Sequence, residues 1–89
     1  MNKFTKYRLA GELEATVSSK LLYLFLLDTV DGAGKICIPQ REIYRSLGLS
    51  RTAVSRNLRR LEETGTIKIE ATWNELGGQM ANKYYVLED

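Results

Sequence analysis

Four arginines stand in one ten-residue stretch, Arg51, Arg56, Arg59 and Arg60, with Thr52 and Ser55 set among them. A guanidinium presents a planar fork of donors that fits a phosphate, or two acceptors on the edge of one base. Hydroxyls can serve the same acceptors singly. The acids of this region, Glu62 and Glu63, wait until its far end. That order opposes the helix dipole, which favours acids at the start of a helix and bases at its end. A polyanion facing the first turns is the simplest reason for the reversal; a solvated basic face is the plain alternative.

For these side chains to act together, one element must hold them on one side. On a helix of about 3.6 residues per turn, Val54, Leu58 and Leu61 fall on a single stripe, and Thr52, Ser55, Arg56 and Arg59 fall opposite it. Ser50 is a favoured N-cap, and Gly65 stands where a left-handed residue ends a helix. The spacing therefore predicts a helix over Arg51 to Thr64 with an apolar back and a partner-facing front.

Charge is concentrated around that helix. The net charge of the chain is only +2, yet Gln40 to Arg60 holds six arginines against Glu42 alone, a local +5 that leaves −3 for the other residues. Localised positive charge on a near-neutral chain is what phosphate binding asks for. The 89 residues predict one small domain. No histidine is present and Cys37 is the single cysteine, too few ligands for a closed zinc site and no basis for an internal disulfide. The acids are scattered, and no glycine-rich phosphate loop follows a strand, so neither enzyme chemistry nor a cofactor or metal is expected. The longest apolar run, Leu21 to Leu27, is too short to span a bilayer, and Glu12 and Glu14 interrupt any signal peptide. A cytoplasmic protein without membrane contact is the expectation.

Residues 1–16 alternate loosely and read as an N-terminal arm, either extended through Phe4 to Leu9 with a short turn of helix near Glu12 or partly disordered; residues 17–89 read as the folded domain. Ser18 or Ser19 can cap a first helix reaching about Thr29. Its run from Leu21 to Leu27 is apolar all round and needs cover all round, from the core and from either the arm or a second copy of the chain. A loop at Asp31 to Gly34 leads to a short strand, Ile36 to Ile38, in which Cys37 reads as a small buried residue. A second helix, Gln40 to Leu47, ends at Gly48, and three residues later the arginine helix begins. Two helices joined by so short a glycine-containing turn form a helix-turn-helix arrangement.

After Gly65 the apolar period falls to two, with Ile67, Ile69, Ala71 and Trp73 alternating with polar residues; Asn82 to Leu87 returns as a strand. Trp73, Tyr84 and Tyr85 are expected to fill the core and the inner face of this hairpin, although aromatic side chains can also stack on unpaired bases.

The stretch IPQREIYRSLGLSRTAVSRNLRRLEETGTIKI, within Val17 to Leu87, resembles the winged helix-turn-helix superfamily of bacterial regulators and of some plasmid replication proteins. The resemblance implies an α+β domain of three helices with a C-terminal β-hairpin wing. It implies that the third helix enters the major groove, that Asn74 to Asn82 forms the tip of a wing near the backbone or minor groove, and, as for many relatives, a dimer on palindromic sites. Tyr44 stands where a small residue is usual between the paired helices, and Gln40 where a serine cap is usual. Arg51, Thr52, Ser55, Arg56 and Arg59 match groove-facing positions. Arg56 and Thr52 are expected on base edges, Ser55 on either bases or phosphates, and Arg51, Arg59 and Arg41 on phosphates. Ser50 and Lys83 complete the candidate DNA contacts, and Arg60 is expected to pair with Glu62 or Glu63. With Glu75 and no base before Lys83, the wing reads as a brace. Double-stranded DNA is the expected partner, with homodimerisation through Leu21 to Leu27, the N-terminal arm, or both. The alternatives are the DNA-binding part of a plasmid or mobile-element replication protein, and a winged helix that meets an acidic protein.

Overall fold

The computed structural model describes residues 3–13 and 15–87. Helices α1 (Thr5–Glu12) and α2 (Val17–Thr29) precede strand β1 (Lys35–Cys37), helices α3 (Gln40–Leu47) and α4 (Arg51–Glu63), and strands β2 (Ile67–Glu70) and β3 (Lys83–Val86). The three strands form one antiparallel sheet in the order β1-β3-β2, with Tyr84 of the central strand opposite both Ile36 and Ile69. Leu22 and Leu26 of α2, Ile43 of α3, Leu58 and Leu61 of α4, and Tyr84 meet in one buried core.

The expected three helices are four. Residues read as an extended or disordered arm form α1, which packs along α2 with Ala10 buried and Lys6 paired to Asp28. The helix has weak local signals: Phe4 occupies its N-cap without a side-chain hydrogen bond, and its first turn holds no acid. It forms because α2 offers an apolar surface on which to dock.

The cap of α2 also differs from expectation. Thr16, not Ser18 or Ser19, takes the N-cap, and its hydroxyl accepts from the Ser19 amide at 3.2 Å. Ser19 lies inside the helix and is fully buried. Cys37 is exposed, contrary to the expectation of burial, because in the alternation of β1 only Ile36 turns inward. Its thiol lies 3.5 Å from the Ala81 carbonyl oxygen.

The helix pair closes as the turn chemistry requires. Gly48 adopts a φ of 65° at the end of α3, and the Leu49 amide donates to the Tyr44 carbonyl at 3.1 Å. Tyr44 is half-buried against the core, so its bulk is packed rather than excluded. Helix α3 begins at Gln40 directly after Pro39, with no side-chain cap.

Candidate nucleic-acid interface

Helix α4 starts on Ser50, whose hydroxyl accepts from the Ala53 amide at 3.0 Å. It ends at Thr64, and Gly65 follows with a φ of 77°. Val54, Asn57, Leu58 and Leu61 are buried, which fixes the rotation of the helix about its axis. Arg51, Thr52, Ser55, Arg56 and Arg59 are therefore exposed and together border one shallow depression of about 500 Å³.

Three sequence-predicted residues lie outside that depression. Arg41 is exposed on α3, Ser50 has its hydroxyl engaged in the cap, and Lys83 is half-buried at the start of β3. Arg60 is exposed and forms no ion pair with Glu62 or Glu63. The Glu62 carboxylate instead accepts from the Ile69 amide at 2.9 Å, tying the end of α4 to the wing strand. Among the described residues the single ion pair is Lys6 with Asp28, so the arginines of α4 keep their donors unengaged by carboxylates.

Sequence reading does not single out Asn57, one of the residues that position this face, and reads its partner Ser19 only as a candidate cap. Asn57 is 7% exposed, and its side-chain oxygen accepts from the fully buried Ser19 hydroxyl at 2.7 Å. This link crosses from the start of α2 to the middle of α4. The signal for it is an asparagine falling in step with Val54, Leu58 and Leu61, where an apolar residue is the rule.

A second crevice of about 180 Å³ runs between α4 and the base of the wing, bordered by Ser55, Arg59, Glu62, Ile69, Asn82 and Tyr84, among others. Burial pushes the Tyr84 phenol above its ordinary pKa, and the nearby Asn82 side chain partly offsets that push. Among the described residues no hydrogen bond of normal geometry reaches the phenol oxygen, so Asn82 compensates its desolvation only in part. Trp73 is 62% exposed, contrary to the expectation that it fills the core, because regular pairing stops at Glu70 and resumes only as an isolated bridge from Trp73 to Gln79.

The model of the MarR family matches residues 18–72, more than half of the chain. The chain belongs to the MarR family. That membership agrees with the winged helix-turn-helix resemblance, and α2 to β3 supply the corresponding DNA-binding architecture. Among solved structures, a chain described as a possible transcriptional regulator from Methanosarcina mazei Go1 superposes with a TM-score of 0.67 at 18% identity, covering 100% of this chain and 68% of that one. At that identity the likeness is one of fold. No curated protein matches the chain. The matched residues cover α3, α4 and β2 entirely, so the arginine-bearing helix lies within the matched segment.

Proposed function

We propose that this MarR-family chain is a sequence-specific double-stranded DNA-binding transcriptional regulator that acts as a homodimer with α4 in the major groove. The observation that carries the reading is the front of α4: five polar or cationic side chains on one exposed surface, free of carboxylate partners and braced from behind by buried residues. Arg56 and Thr52 read base edges, Arg51 and Arg59 hold phosphates with Arg41, and Ser55 serves either. Ser50 sets the start of the reading helix, and Lys83 is the first cation after the wing tip.

The dimer reading rests on apolar residues that α1 and α2 leave exposed, Phe4, Tyr7, Leu9, Val17 and Leu21. A groove of about 310 Å³ between these helices, lined by Tyr7, Leu21, Leu24 and Phe25 among others, gives a second copy a surface to fill. Among the described residues no helix is long and apolar enough to cross a membrane.

Selection from random duplex DNA, followed by binding titrations across salt concentrations, tests the reading. A palindromic site is the expected result, since a two-fold protein imposes its symmetry on the sequence. Arg56→Ala should weaken the selected site by roughly tenfold or more relative to random duplex. Equal loss on both would remove Arg56 from base reading. A chain that meets an acidic protein instead would show no preference among duplexes.

A further inference from the structure

The seam between α2 and α4 carries a polar relay. The Thr16 hydroxyl, at the N-cap of α2, donates to the Ser19 hydroxyl at 3.2 Å, and the Ser19 hydroxyl donates in turn to the Asn57 side-chain oxygen at 2.7 Å. Ser19 is buried in step with Leu22, Tyr23 and Leu26 of α2, and Asn57 in step with Val54, Leu58 and Leu61 of α4. Two apolar side chains of like shape would serve stability as well or better, because each polar partner gives up water for one hydrogen bond.

What apolar contact does not supply is an offset. The two buried stripes have the same spacing, so sliding one helix along the other by a turn still lays apolar residues on apolar residues. The same slide parts Asn57 from Ser19 and strands both polar groups. A hydrogen bond is short and directional, so the pair singles out one offset. A helical turn is about 5.4 Å along the axis, more than the roughly 3.4 Å between successive base pairs. Helix α2 carries Val17 and Leu21 of the exposed apolar surface assigned to the dimer, and α4 carries the arginines. The offset between these helices therefore enters the distance between the two arginine helices of a dimer. We propose that Ser19 and Asn57 are positioning residues that fix this offset, and through it the half-site spacing that the dimer accepts. This gauge depends on the DNA-reading role of α4 and on the dimer proposed above.

The probes are the duplex recovered by selection, the same duplex with one base pair inserted or removed at its centre, and a random duplex. The parent chain should prefer the selected spacing by about tenfold. The double variant Ser19→Ala with Asn57→Leu replaces both polar groups by apolar ones and should keep or raise Tm. Its affinity for random duplex and its salt slope should match the parent's, because the arginines are untouched, while its spacing preference should fall to about threefold or less. Ser19→Ala alone, a change of one oxygen atom, should lower the preference in the same direction and decides the matter where the double variant does not fold. A folded variant with the parent's spacing preference overturns the proposal. So does an equal loss on every duplex that accompanies a fall in Tm, the mark of residues that serve stability alone. A parent chain that binds its selected site but is indifferent to spacing overturns the gauge and leaves the role of α4 standing; one that prefers no duplex overturns both.

Discussion

Helices α2 and α4 each run for 13 residues and bury the same pattern, i, i+3, i+4 and i+7. In α2 these are Ser19, Leu22, Tyr23 and Leu26; in α4 they are Val54, Asn57, Leu58 and Leu61. The two stripes pack on each other, and the one polar residue in each finds the other across the contact. The remaining faces diverge. Helix α2 adds half-buried Leu24, Phe25 and Leu27, whereas α4 adds arginines. One buried stripe per helix builds the domain, and what covers the rest of the cylinder decides whether the helix meets protein or polyanion.

The largest effects should come from the shared stripe. Leu26→Ala and Leu58→Ala should each lower unfolding free energy by about 2–5 kcal/mol, whereas Arg56→Ala on the opposite side of α4 should change it by less than about 0.5 kcal/mol. Urea denaturation measures both. If Arg56→Ala proved as destabilising as Leu58→Ala, the division between back and front would be wrong.

A smaller effect is expected at the polar pair. Asn57→Ala takes from the buried Ser19 hydroxyl its acceptor, leaving it only the Thr16 hydroxyl at 3.2 Å, and should cost about 1–3 kcal/mol. Adding Ser19→Ala to it should cost little more, so that a double-mutant cycle shows coupling between the two sites. Additive losses would mean that each residue packs independently of the other.

The smallest effect concerns the sheet on which both helices rest. Burial raises the Tyr84 pKa, so in the unfolded chain the phenol ionises first as pH rises. Its contribution is complete below about pH 10, the ordinary tyrosine value, and is lost as pH climbs through the higher folded value. Stability should therefore decline above that pH in the parent chain, and the decline should be shallower in Tyr84→Phe. Parallel pH profiles for the two would remove Tyr84 from this role.

Helix α4 was legible in the sequence because its signals are local: a serine cap, an apolar stripe and a closing glycine within sixteen residues, Ser50 to Gly65. The helix-turn-helix pair and the hairpin were legible for the same reason. What escaped depends on distant contacts. Helix α1 forms against α2 rather than by its own capping, and Ser19 looked like a cap while serving Asn57, 38 residues away. Cys37 is misplaced by reading Ile36 to Ile38 as a strand buried as a whole, and Trp73 by reading an apolar residue in an alternating run as inward-facing. The first belongs to a strand of three residues and the second lies beyond the regular end of β2. The arginine positions followed from helical phase, which the burial of Val54, Leu58 and Leu61 reproduces.

Only Gly48, Leu49 and Ser50 separate α3 from α4, with Leu49 half-buried and tied back to Tyr44. A linker this short and anchored leaves little slack between the two helices. In the proposed DNA-binding role, the arginine helix would arrive at its target already oriented. Its ordering cost is met when the chain folds, and encounter with a duplex should proceed by docking of a finished shape, without a coupled folding step.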